Sequence, residues 1–305
     1  MKFIFAILLM FFIFGFYSKA QYFQSLSNFY MNGQYINPAY AGSREVFSST
    51  LTYRNQWVGL DGAPKTMNFG FHTPLKRLNL ASGFIAFTDK IGVSRLSGLA
   101  VNYVYRIRMK EGKRNLAFGL KTGLLSFRSD FSQLYINDAG DAVFNGVTIN
   151  QTNFDAGLGI YYYAPHYFFS FSAPLLTNFG YNSTSHYDSI STKVTNTYLT
   201  TGFIIKLGAD LELMPSIFIK SIKNNLQVDL NFSFITLKTL LLGFSIRSSE
   251  SLVFNFEYQI NPQLRLGYAH DFITSPLNKI TMGTHELTLR YELIKNYNVY
   301  STRFF

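Results

Sequence analysis

"HELTLRYEL", His285 to Leu293, carries the pattern on which the fold turns. Leu287, Leu289, Tyr291 and Leu293 alternate with Glu286, Thr288, Arg290 and Glu292, and a period of two sends successive side chains to opposite faces of a strand. One face is apolar and the other is charged. "QVDLNFSF" repeats the pattern, with Val228, Leu230, Phe232 and Phe234 set against Gln227, Asp229, Asn231 and Ser233. "SLVFNFEYQI" does so again through Leu252, Phe254, Phe256 and Tyr258. A soluble sandwich would turn the polar face to water. A transmembrane barrel inverts this, with Leu, Phe and Tyr meeting lipid and the polar set lining the lumen.

Composition points the same way. Phe and Tyr supply 32 and 21 of the 305 residues, while 14% of the chain is charged, an unusual balance for a soluble domain. With no cysteine there is no disulfide framework, and a closed hydrogen-bonded sheet does without one. The net charge of +10 is spread through turns and strands instead of forming a stripe, so nucleic acid is not an expected partner.

The chain opens "MKFIFAILLMFFIFGFYSKAQ", with Lys2, an apolar run from Phe3 to Tyr17, and small residues Ser18 and Ala20 spaced as at a cleavage site. This is the grammar of a secretory signal peptide. The run is short for a bilayer span of about 20 residues, which disfavours an uncleaved anchor. The expected organisation is a cleaved signal peptide at 1–20, a periplasmic or plug segment at 21–45, a barrel at 46–293 and a carboxy-terminal tail at 294–305. The tail, ending "STRFF", is read either as frayed or as an insertion signal.

The expected fold is all-β, an antiparallel transmembrane barrel of about 14 strands with a short amino-terminal plug. If both termini lie in the periplasm, odd-numbered hairpins face outward. The longest connections, Arg128 to Thr152, Pro174 to Val194 and Phe272 to Gly283, are all odd, whereas "APH", "GAD", "TLK" and "NP" make tight even turns. Barrels sort long and short loops in this way.

The stretch "NPAYAGSREVFSSTLTYRNQWVGLDGAPKT", Asn37 to Thr66, reads as plug, first strand and first outer turn in succession. Arg54 and Gln56 share parity with Thr50 and Thr52, opposite Leu51, Tyr53 and Trp57. The Arg54 guanidinium is therefore expected in the lumen, binding plug carbonyls or Glu45. Trp57 is expected in the interfacial aromatic girdle. Gly62, in Asp-Gly, supplies a positive φ, and Pro64 limits edge pairing.

"INPAYAG" followed by "YRNQWVGLDGAPKT" resembles the amino-terminal signature of the PorP/SprF family, outer-membrane proteins of the type IX secretion system in Bacteroidetes. The resemblance continues through "AFGLKTGLLSF", "DAGLGIYYYAPHYFFSFSAPLL" and "GTHELTLRYEL". It places Asn37, Pro38, Ala39, Gly42, Tyr53, Arg54, Gln56, Trp57, Gly62 and Pro64 in a plug and first-strand signature. "NPA" is also shared with fatty-acid-transporter-like barrels, which suggests fourteen strands and an inserted hatch. The family implies a non-enzymatic role in secretion and gliding, or in holding a secreted, adhesin-like client at the cell surface.

Other chemistries are weakly supported. His270 with Asp271, and His285 with Glu286, could contribute to a hydrolase, but no spacing builds a triad. Neither metal nor cofactor is expected. Asp138 and Asp141 in "NDAGDAVFNG" lack an ordered calcium-ligand series. The basic turns "PLKRLN" and "YRIRMKEGKRN" read as solvated faces, with secretion-motor components or peptidoglycan as the functional alternative. Phe131, Leu134, Tyr135, Phe179, Tyr181 and Tyr187 fall in the two longest outer connections as candidate client contacts, because aromatics anchor interfaces with little rotamer loss. A diffusion channel and an exported β-sandwich lectin remain the alternative readings.

Overall fold

The computed structural model describes residues 26–75, 79–109, 113–133, 148–176, 178–181, 190–193, 196–222, 225–248 and 250–294. Its strands are β1 (Phe47–Asn55), β2 (Lys65–Leu75), β3 (Leu80–Ile91), β4 (Ser94–Met109), β5 (Arg114–Asp130), β6 (Thr148–Tyr163) and β7 (Tyr167–Leu175). They continue as β8 (Asn178–Tyr181), β9 (Ile190–Lys193), β10 (Asn196–Phe203), β11 (Ile205–Lys206), β12 (Leu211–Ile222) and β13 (Asn225–Thr236). The last four are β14 (Leu240–Arg247), β15 (Ser251–Asn261), β16 (Leu264–Ile273) and β17 (Thr284–Leu293).

β10 and β11 form one interrupted stave. With β8 and β9 set aside as a separate two-stranded ribbon, the sheet has fourteen staves, each antiparallel to its neighbour. β1 pairs with β17 from Phe47↔Leu293 to Asn55↔His285, and β10 pairs with β12, so the sheet closes and has no free edge. Closure satisfies every stave on both sides, which the bilayer core demands of any spanning sheet.

The alternation resolves as the sequence predicts. Glu286, Thr288, Arg290 and Glu292 are buried in the lumen, and Leu287, Leu289, Tyr291 and Leu293 are exposed outside. Leu99 and Phe154, 56% and 64% exposed, belong to the same outward belt. Large aliphatic and aromatic side chains held this open to their surroundings are stable against acyl chains, not water.

Odd-numbered connections gather at one end of the barrel, which we call the loop end; β1 starts and β17 stops at the other, the terminal end. Two long connections are smaller than expected. β5 runs on to Asp130 and β6 starts at Thr148, so both ends of Arg128 to Thr152 are strand. The Pro174 to Val194 connection contains the β8–β9 ribbon, with Asn178↔Lys193 through Tyr181↔Ile190 in register. Ladder hydrogen bonds carry both pairs beyond the point where apolar alternation fades.

The turn "YRIRMKEGKRN" is also largely strand. Arg106 and Arg108 lie in β4, and Arg106 is buried inside the barrel. Lys76, Arg77 and Lys110 fall outside the described residues, as do the signal peptide, Asp138, Asp141 and the tail from 295 onward.

Candidate functional site

Inside the barrel lies the segment 26–46, almost all of it buried. It has one helical turn, α1 (Gly33–Ile36), followed by a 3-10 turn at Pro38–Tyr40. Asn37 separates the two in an extended conformation, and its side chain accepts from the Ala39 N–H at 2.8 Å. Pro38 stands at the first position of the 3-10 turn, where a missing N–H and a fixed φ carry no penalty. The Asn-Pro-Ala motif is thus a cap joined to a turn start, which lets a short segment reverse inside a narrow space.

The segment crosses the lumen and is held at both ends by charge. At the loop end, Glu286 accepts the Ser27 N–H at 2.8 Å and the Asn28 N–H at 2.9 Å. The Ser27 hydroxyl donates to Asp271 at 2.6 Å. Arg54 joins these groups, donating to Asp271 at 2.7 Å, to Glu286 at 3.1 Å and to the Ser27 hydroxyl oxygen at 2.8 Å. Arg247 extends the network by pairing with Asp271 at 2.9 Å and Asp229 at 3.0 Å. These charges sit on β1, β13, β14, β16 and β17, so the network also ties five staves together.

At the terminal end, Arg44 makes a two-pronged pair with Glu292, at 2.7 and 3.3 Å. Glu45 pairs with Arg106 and lies 3.8 Å from Arg108. Planar guanidinium forks suit such carboxylate contacts better than lysine would.

Between the ends, backbone and amide contacts seat the plug against the wall. The Asn37 amide donates to the Ile160 carbonyl at 2.9 Å and the Ser170 hydroxyl at 2.8 Å. Ser172 donates to the Ile36 carbonyl at 2.8 Å, and Gly42 N–H donates to His72 Nδ1 at 3.1 Å. Thr52 donates to the Asn32 side chain at 2.9 Å, while the hydroxyls of Tyr30 and Ser216 hydrogen-bond each other.

Wall glycines make room for this path. A Cβ on Gly119 would lie 2.2 Å from the Ala39 nitrogen, and one on Gly159 would lie 1.9 Å from Asn37 Oδ1. Glycine inside a strand often marks such a close approach.

The sequence signature divides between plug and first hairpin. Asn37, Pro38, Ala39 and Gly42 lie in the buried plug, and Gly42 has φ +80°. Tyr53 faces outward while Arg54 faces inward. Arg54 does not meet Glu45, as the sequence led us to expect; the two sit at opposite ends of the lumen because the plug traverses the barrel before β1 begins.

Trp57 lies past the end of the first strand. β1 ends at Asn55, and Trp57 has φ +49°, so strand parity no longer directs its side chain to a girdle. Its backbone N–H donates to Thr284 Oγ1 at 3.1 Å, and the next residues pair with the last outer connection through Val58 N–H to Gly283 O and Met282 N–H to Val58 O, each 2.8 Å. The first hairpin therefore seals the β1–β17 seam. Gln56 N–H donates to the Pro64 carbonyl at 2.9 Å, and Gly62 has the expected positive φ of +75°.

Of the outer-connection aromatics, Phe131 is half-buried in a 3-10 turn after β5. Phe179 and Tyr181 lie in β8, where only the backbone is described; Leu134, Tyr135 and Tyr187 lie outside the described residues.

His270 and His285 face outward from β16 and β17, with Nδ1 atoms 3.3 Å apart, and Tyr268 reaches His285 at 2.7 Å. Asp271 and Glu286 point the other way into the lumen, so the sequence-adjacent pairs are split across the wall. Sequence reasoning missed Ser27, Asn28, Arg44, Gly119 and Gly159. Only the glycines carried a local signal, as small residues on the lumen-facing phase of strands.

A closed sheet with an apolar outside, a charged lumen and an internal plug defines a transmembrane β-barrel of the outer-membrane class. The chain belongs to the family of type IX secretion system membrane proteins PorP/SprF, whose family model matches residues 18–291. No curated protein matches it in sequence. Among solved structures it is similar to the Ralstonia pickettii toluene transporter TbuX, at 12% identity over 84% of this chain and 91% of that one, with a TM-score of 0.49. It is also similar to the monoaromatic hydrocarbon channel CymD, at 13% identity over 88% and 92% with a TM-score of 0.47. The Acinetobacter baumannii outer membrane protein Omp33 gives 10% identity over 82% and 99%, with a TM-score of 0.45.

Proposed function

We propose that this protein is a non-enzymatic barrel of the outer membrane that helps secrete, or retains at the cell surface, a secreted adhesin-like protein. The observation that carries this reading is the plug, fixed by ion pairs at both ends, in a member of a secretion-system family. A filled lumen leaves the connections at the loop end as the surface available to a large partner, and with both termini in the periplasm that end faces outside the cell. Connections 131–147 and 176–195 are the long ones there, and their 17 and 20 residues are enough to supply the roughly 20–30 residues a side of a standard interface.

Shortening both connections to tight turns, with strand register kept, is expected to preserve heat-modifiable gel migration and release the client into the medium. A client that stays on the surface at wild-type level would move recognition to the first hairpin or to periplasmic components.

The rival reading is a diffusion channel or transporter for small hydrophobic or polar solutes. The plugged geometry gives a clear expectation: planar bilayers with the full chain show little conductance, and deletion of 21–43 introduces discrete steps. Equal conductance from both forms would remove the plug's role as a closure.

A further inference from the structure

Four cations stand side by side on the outside of the barrel near the loop end. Lys65 on β2 is directly opposite Lys90 on β3, Lys90 is opposite Arg95 on β4, and Arg95 is opposite Arg128 on β5. All four are exposed, and each shares the outward phase of its strand. With strands spaced about 4.8 Å apart, the row spans about 14 Å. Its neighbours along the same register are neutral, Asn55 on one side and Asn150 on the other.

No carboxylate among the described residues pairs with any of the four, although buried cations elsewhere in the barrel have acidic partners. Like charges directly opposite on adjacent strands repel. A row of four is therefore a surface that gains from an external anion.

Directly below the row, on the same strands and the same face, is an apolar groove of about 500 Å³. Met67, Phe69, Leu99 and Leu124 form its sides, while the small Ser97 and Ser126 leave it open. Lys65 is two residues from Met67, Arg95 two from Ser97, and Arg128 two from Ser126. Headgroup charge and acyl-chain surface are thus stacked in the order in which a lipid presents them.

We propose that this face is a binding site for a phosphate-bearing membrane lipid, with an acyl chain in the groove and the anionic headgroup on Lys65, Lys90, Arg95 and Arg128. The site depends on the barrel spanning the membrane and is independent of any client. A protein partner fits less well, because the cation row is continuous with the lipid-facing belt instead of the loops.

The test is native mass spectrometry of the full chain in neutral detergent, titrated with phosphatidylglycerol, phosphatidylcholine of the same acyl composition, or inorganic pyrophosphate. The wild type should retain phosphatidylglycerol over phosphatidylcholine. Each neutralised cation should weaken phosphatidylglycerol about five-fold, so R95Q/R128Q should lose about twenty-five-fold and R95K/R128K should keep wild-type retention. S126F, which fills the groove, should weaken phosphatidylglycerol and leave pyrophosphate unchanged. Heat-modifiable migration of each variant verifies that the barrel has formed.

Equal retention of the two lipids by the wild type overturns the proposal, as does wild-type retention by R95Q/R128Q. Pyrophosphate binding as tightly as phosphatidylglycerol, with S126F without effect, overturns it in favour of a simple anion site.

Discussion

Arg54→Leu is expected to release the loop-end half of the plug while the barrel still assembles. Arg54 is buried and serves Asp271, Glu286 and Ser27 together. Removing it leaves Asp271 with Arg247, but leaves Glu286 with only the Ser27 and Asn28 N–H groups in the described network. Breaking a buried pair by removing one partner costs about 3–5 kcal/mol, and the least connected element relaxes first. That element is the plug: β1 keeps its full ladders to β2 and β17 without the guanidinium.

The expected outcome is faster hydrogen exchange at Ser27 and Asn28 and new protease cleavage between 26 and 36, with heat-modifiable migration retained. Because Arg54 and Glu286 act through the same contacts, their effects should not add in a double-mutant cycle. Wild-type exchange at Ser27 and Asn28 would sink the clamp.

Gly119→Val is expected to push the foot of the plug from its seat. The new Cβ would meet Ala39 backbone, with nitrogen at 2.2 Å and Cα at 2.6 Å, and backbone cannot swing aside as a flexible side chain can. Overpacking of this kind costs about 1–3 kcal/mol, occasionally more. Valine is itself a good strand residue, so the wall is not the part that suffers. Conductance should rise and the Asn37 contacts to Ile160 and Ser170 should be lost. Gly208→Ala meets nothing within 4 Å and serves as the silent control. A Gly119→Val protein with wild-type conductance and wild-type proteolysis would show that the plug foot has another way to sit.

Arg54 itself illustrates how far sequence reasoning reaches. Its parity against Leu51 and Tyr53 was enough to place it in the lumen, since only two directions are open to a strand side chain. Its partners were not legible: Asp271 and Glu286 are more than two hundred residues away along the chain, and no local pattern ranks them above Glu45. Trp57 shows the opposite limit. Parity does not extend to it, because β1 ends at Asn55 and Trp57 takes a positive φ outside the ladder.

The ends of β5 and β6 were obscured for a related reason. Asn150, Thr152, Ser126 and Arg128 are polar on the outward phase, so hydrophobic alternation stops before the ladder does. Register alone also reveals the cation row. Lys65, Lys90, Arg95 and Arg128 are scattered through the sequence, yet three successive pairings bring them into line.

By itself, the sequence determined the barrel, the inward and outward identity of most strand residues, and the presence of a buried segment before β1. The first two follow from period-two patterning and the demand that every backbone group at membrane depth be paired within the sheet, and the third from the inward parity of Arg54 and the resemblance of the Asn37–Thr66 stretch. Tertiary structure decided which charges meet, how the plug crosses from Ser27 to Glu45, and which outer residues share a row, because closure and stagger set contacts between strands that are far apart in the chain.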